Sequence, residues 1–347
     1  IDTTHTPNTY YDNGIARDAK IYFQDIGTST GGLNITSMSG SITNAIGVGS
    51  YIQNNSWGTS TADYSADSSA IDSTLFSNPN MVVTVSVGND GTQGAGSIGS
   101  PSTAKNCITV GGVGVSSPTR LFMDCSWDGT TTCGGTNDLG SSTGPVLTSL
   151  RVKPDICGYM ATAASVGGEN MAGENPVAMC QADATRTIYW DWNQTSYYGG
   201  TSFSAPQVAG LAALVRDYFM AGYYPTGTAT PANAFTPTGA LVKAVILASG
   251  ENLDTTSYPT TSFSVARRYS NDQGYGRANL PAVLKIGASA PYLWSPAATV
   301  IDGGTDTFTY TIGSNSLPIR IMMVYYDAAG NNLVENVNLR AVVNGNN

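Results

Sequence analysis

Histidine is nearly absent from this chain: His5 is the one histidine in 347 residues. Charge is scarce too. Only 11% of residues are charged, and 24 acids against 15 lysines and arginines leave a formal net charge of −9. So acidic a chain, with no basic block, lacks the electrostatic footprint of a nucleic-acid binder. It has no run of about 18 apolar residues, so no membrane-spanning helix is expected. It has no Cys/His array spaced for zinc. What remains is 41% hydrophobic residues in recurring runs, which excludes disorder. Gly, Ser, Thr and Asn outweigh charge, a balance that fits a secreted, loop-rich protein. The length predicts one large domain with a small second one.

The strongest local signal is Gly199-Gly200-Thr201-Ser202-Phe203-Ser204-Ala205-Pro206. Two glycines allow a tight turn. Ser202 then opens an apolar run at helical spacing through Val208, Leu211, Val215 and Phe219. Pro206 reads as a proline in a tolerated first-turn position. A hydroxyl at such a helix mouth feels the positive end of the helix dipole. By itself the segment is also compatible with a hydroxyl cap on a core helix. Elsewhere, Lys20–Ile26, Met81–Val87 and Cys107–Val110 read as strands. Gly40–Ile52, Asp67–Leu75, Ser202–Met220 and Ala240–Ser249 read as helical. Alternation of this kind predicts an α/β fold with a doubly wound, mostly parallel sheet, and active residues at the carboxyl ends of strands.

The string around Ser202 resembles the nucleophile motif of the subtilases, the subtilisin-like serine peptidases. The similarity recurs in order along roughly residues 10–285. It includes Gly14–Tyr22, Asn54-Asn55-Ser56-Trp57-Gly58, Val82–Asn89, Ser141–Pro145, Lys153-Pro154-Asp155 and Gly274–Asn279. The resemblance implies a serine endopeptidase of subtilisin-type fold acting on a polypeptide substrate. Ser202 would be the nucleophile, and the Asn89 amide would hold the oxyanion with the Ser202 N–H. Ser56-Trp57-Gly58 and Ser86-Val87-Gly88 would flank the substrate side chain. Trp57 is expected to pack under the pocket rather than cap it. No cofactor is required for the chemistry. Structural calcium is a further implication, for which Asp302-Gly303-Gly304-Thr305-Asp306 has suitable chemistry but equally reads as a turn.

A subtilase triad also needs an Asp and a His. His5 sits among Thr3-Thr4 and Thr6-Pro7, with no His-Gly-Thr-like string and no apolar helix after it, and reads as a solvated loop residue. The Asp and His are therefore expected from sequence upstream of residue 1, as a segment or a separate chain. A serine hydroxyl without its base is a weak nucleophile. The alternative is an inactive subtilase-fold pseudoprotease serving as an extracellular scaffold or binding module. A lipase-type hydrolase is disfavoured, because Gly200-Thr201-Ser202-Phe203-Ser204 lacks the last glycine of its elbow.

The domain boundary falls near residue 286, giving a catalytic domain over 1–286 that lacks its N-terminal part and a second unit over 287–347. In the latter, Phe308, Tyr310 and Ile312 alternate with threonines, and Ile319–Tyr326 and Val337–Val343 read as strands. This unit resembles part of the β-sandwich appended to some subtilases. About 60 residues are few for an independent sandwich, so it is either truncated or stabilised by docking on the catalytic domain. Cys125 with Cys133 and Cys157 with Cys180 are candidate disulfides, and Cys107 is expected as a buried thiol. The sequon at Asn54 is expected bare, because a glycan there would collide with the cleft. The aromatic cluster Tyr189-Trp190-Asp191-Trp192 and Tyr197-Tyr198 either lines the cleft or packs on the surface.

Overall fold

The computed structural model describes residues 14–116, 121–123, 140–159, 200–251, 269–288, 294, 303–311 and 320–342. Its centre is a parallel sheet of β1 (Ile52–Asn55), β2 (Val82–Ser86), β3 (Ile108–Ser116) and β5 (Ile156–Tyr159), adjacent in that order. Val85 of β2 lies between Asn55 and Thr109, and Val110 of β3 pairs with Ile156. The short β4 (Leu121–Met123) pairs antiparallel with the far end of β3.

Helices cover both faces. α1 (Met38–Gly47) and α2 (Ala66–Ser77) lie on one, α3 (Thr201–Met220) and α4 (Gly239–Ala248) on the other. The alternation of side chains along β2 fixes this arrangement. Val83 and Val85 pack with Ile42, Ile71 and Leu75, whereas Val82 packs with Val208, Ala212 and Ile246. Every residue of β2 is buried, as expected for a central parallel strand. Side chains start three of the helices. Ser37 accepts from Gly40 N, Ser65 from Ser68 N and Thr238 from Leu241 N, which satisfies N–H groups that lack helical partners. α3 starts at Gly200 with no such side-chain bond.

Three readings of the sequence need correction. The helix read over Gly40–Ile52 runs instead over Met38–Gly47 and ends at Val48, and Ile52 opens β1. Lys20–Ile26 is not a strand. Its apolar side chains face outward, with Ile21 90% and Phe23 81% exposed, and it forms no ladder among the described residues. Gln24 instead bonds Ser41 of α1, whose hydroxyl also accepts from Gln53 of β1. Conversely, β5, which starts directly after Lys153-Pro154-Asp155, is not legible as a strand. It is four residues long, too short for its periodicity to register.

A buried ionic cluster pins β5 to β3 and α4. Asp155 accepts from Lys153 Nζ at 2.7 Å and from Thr109 N at 2.8 Å, with Lys243 Nζ at 3.5 Å. Burial works against its charge, but the two lysines outweigh that and hold the carboxyl below its ordinary range.

The described part of the C-terminal segment, 303–311 and 320–342, contains no strand. Residues 320–335 lie against the catalytic domain instead. Asp327 pairs with Lys105 at 2.5 Å, both side chains being nearly inaccessible. Its carboxylate also accepts from Val334 N and Glu335 N, and its backbone is gripped by Asn106. Tyr326 Oη donates to Met81 O, and Arg320 donates to Ala248 O and Gly250 O. These contacts tie residues 320–335 to Met81, Lys105, Asn106 and α4. Cys107 is a buried free thiol, and burial pushes its pKa up. Cys125, Cys133, Cys180, the 189–198 aromatic cluster, Asp302 and His5 lie outside the described residues.

Candidate active site

The carboxyl ends of β1 and β2 open beside the first turn of α3. Between them lies a cleft of about 250 Å³. Ser202, Asn89, Ser56-Trp57-Gly58 and Ser86-Val87-Gly88 all border it. The structure thereby brings together every site residue singled out from the sequence, from three segments far apart in the chain. Thr201 and Gly99 also line the cleft and were not singled out. Thr201 stands inside the Ser202 motif, and Gly99 in the Gly99-Ser100-Pro101 turn.

Ser202 is the second residue of α3. Its N–H is therefore one of the donors with no intrahelical partner. Its Oγ donates to Ser56 O at 3.1 Å, while Ser56 Oγ donates to Ser202 O at 2.9 Å. Pro206, the sixth residue of α3, lies beyond the first turn where the sequence reading put it. At this depth its missing N–H removes a helical bond.

Asn89 follows Gly88, whose φ of +111° is left-handed. An added Cβ there would come within 2.8 Å of Ser142 Oγ, so both conformation and space call for glycine. Thr201 orients the Asn89 amide. Its N–H and its hydroxyl lie 2.9 and 3.0 Å from Asn89 Oδ1. With Oδ1 so engaged, Nδ2 is the end left to donate, and it has no hydrogen-bond partner among the described residues.

Trp57 Nε1 donates to Asn55 Oδ1 at 3.2 Å, and its ring packs on the α1/α2 core while the residue borders the cleft. The first turn of α3 is tied to the end of β5. Gln207 accepts from Tyr159 N and donates to Tyr159 O, which Ser204 Oγ also reaches. Asn54 Nδ2 is occupied by Ser56 Oγ at 2.9 Å.

The profile of the subtilase family (Peptidase S8) matches residues 3–276. The chain belongs to the subtilase family. The curated relatives of this subtilase include "Serine protease/ABC transporter B family protein tagB" from Dictyostelium discoideum, 30% identical over 131 residues. A second is "Serine protease/ABC transporter B family protein tagD" from the same organism, 30% identical over 122 residues. The matches cover 36% and 35% of this chain and 6% of each relative. Among solved structures, "Sphericase" is 17% identical with a TM-score of 0.44, over 74% of this chain and 66% of that one. The psychrophilic subtilisin-like protease Apa1 from Pseudoalteromonas sp. AS-11 is 12% identical with a TM-score of 0.42, over 74% and 75%.

Among the described residues, no group of three or more His, Cys, Asp or Glu could hold a metal ion. No described helix is long and apolar enough to cross a membrane. No imidazole or carboxylate bonds Ser202 Oγ among the described residues.

Proposed function

We propose that this subtilase is a secreted serine endopeptidase whose acyl-enzyme forms on Ser202. Ser202 Oγ attacks the scissile carbonyl carbon and passes its proton to a base. Asn89 Nδ2 and Ser202 N–H hold the oxyanion that develops. Collapse expels the amine, and water then releases the acyl group. The peptide lies extended between Ser56-Trp57-Gly58 and Ser86-Val87-Gly88, with its side chain in the cleft between them. No cofactor takes part.

One observation carries this reading: a helix-mouth serine and an amide whose Nδ2 has no partner among the described residues border the same cleft, and the amide's other end is held by the residue before that serine.

The base and its carboxylate come from a polypeptide segment other than these 347 residues. Three features support this. The single histidine stands in a polar, proline-flanked context. Ile21, Phe23 and Leu33 are 63–90% exposed, and the outer edge of β1 has no strand partner among the described residues. Gln53 Oε1 and Asn55 Nδ2, both on β1, are buried without partners. The test is hydrolysis of a denatured polypeptide by the protein isolated from its source. Activity that Ser202→Ala abolishes supports the reading. Tight binding of extended peptides without turnover would favour the scaffold alternative.

A further inference from the structure

The helix carrying Ser202 would normally bond the Ser202 carbonyl to the N–H four residues on. That residue is Pro206, which has no hydrogen to give. The carbonyl is met from outside the helix, by the hydroxyl of Ser56 at the end of β1, 2.9 Å away. That hydroxyl is itself held in place. Asn54 Nδ2 donates to it at 2.9 Å, and Asn54 Oδ1 accepts from Thr84 Oγ1 at 3.0 Å. Thr84 is fully buried on β2. A hydroxyl has one proton. With Asn54 donating to its oxygen, that proton is directed to the Ser202 carbonyl.

We propose that Ser56 is a positioning residue for the nucleophile. Its side chain fills the helical bond that Pro206 leaves open. It thereby sets where the backbone of Ser202, and with it Oγ and the N–H, stands relative to Asn89. Ser56 thus acts through Ser202 as well as walling the cleft. The inference rests on Ser202 being the nucleophile.

The test is a double-variant cycle of Ser56→Ala and Pro206→Ala, with Ser56→Thr as the conservative control, on the protein as isolated from its source. The readouts are the fluorophosphonate labelling rate of Ser202 and amide hydrogen exchange over residues 201–206. With Pro206 present, Ser56→Ala should slow labelling about tenfold, the scale of one unsatisfied carbonyl. Ser56→Thr should recover most of that rate. In the Pro206→Ala background the cost of Ser56→Ala should shrink to under about twofold, because the new N–H at 206 reaches the same carbonyl. An equal cost in both backgrounds overturns the proposal.

If wild-type protein does not label at all, the peptidase reading fails and exchange alone judges the clamp. Ser56→Ala must then speed exchange of the first turn with Pro206 present but not with Ala at 206, and equal effects overturn it. Should Ser56→Ala fail to accumulate, recovery of folded protein in the double variant supports the clamp. Failure of the double variant to fold, where Pro206→Ala alone folds, overturns it.

Discussion

Asn89 has one end of its amide spoken for, and the other has no hydrogen-bond partner among the described residues. The Thr201 N–H donates to Oδ1, and the one hydroxyl proton of Thr201 lies between Oδ1 and Gly88 O, so the donating face of Asn89 is set before any ligand arrives. Preorganisation of this kind makes an oxyanion donor effective, since nothing needs to reorient during reaction. Asn89→Leu should therefore lower kcat by roughly 10²–10³-fold and leave KM nearly unchanged, the usual cost of one lost oxyanion donor. Steady-state kinetics on a peptide substrate checks this, and a change confined to KM would assign Asn89 to ground-state binding. These residues were legible in the sequence because each lies in a compact local string: Gly-Thr-Ser at 200–202, Ser-Val-Gly-Asn at 86–89 and Asn-Ser-Trp-Gly at 55–58. The Ser56–Ser202 exchange was not, since it joins residues 146 apart through a proline whose depth in the helix depends on where the helix starts.

The elements came through where burial is one-sided or complete. Met81–Val87 announced β2, whose every residue is buried. Ala240–Ser249 announced α4 to within a residue at each end. β5 stayed hidden because its placement comes from tertiary contacts rather than from a pattern. Its approach is held by Asp155, which is bonded to Lys153 and Thr109 and faces Lys243. Asp155→Asn should cost about 3–5 kcal/mol at neutral pH by leaving two buried lysines without their counter-charge. The folded-state pKa of Asp155 lies below its ordinary value of about 3.9. Its stabilisation is therefore fully present above that value and is lost as pH falls through the lower, folded one. Urea midpoints measured from pH 7 downward should fall on the acid side in the parent and flatten there in Asp155→Asn. Parallel curves would mean that Asp155 is not a source of the acid dependence.

At the scale of the whole molecule, side chains tie residues 320–335 to the body around the parallel sheet. Alternation around Phe308 and Ile319–Tyr326 predicts a β-module; alternation alone does not say which side chains anchor such a segment to its neighbours. Over the described residues Lys105, Asn106 and Met81 do the holding. Asp327→Ala removes the counter-charge of Lys105, leaving its ammonium on Ala328 O and Asn332 O, and should destabilise the fold by about 1.5–3 kcal/mol. Tyr326→Phe, which removes one hydrogen bond to Met81 O, should cost about 1 kcal/mol. Denaturant unfolding followed by a probe in the catalytic domain checks both. A transition unaffected by either variant would make the segment a passenger.

The fold was thus legible, and the residues singled out around Ser202 and Asn89 do meet at one cleft, whereas no string in these 347 residues reads as the histidine motif of the family. The most direct measurement is therefore to treat the protein isolated from its source with a fluorophosphonate and read intact masses under denaturing conditions. A stoichiometric adduct on Ser202, with a second polypeptide mass in the same spectrum or a single mass larger than this chain, is the predicted result. An unlabelled species whose mass matches these residues alone would contradict the account and leave a subtilase fold without a catalyst.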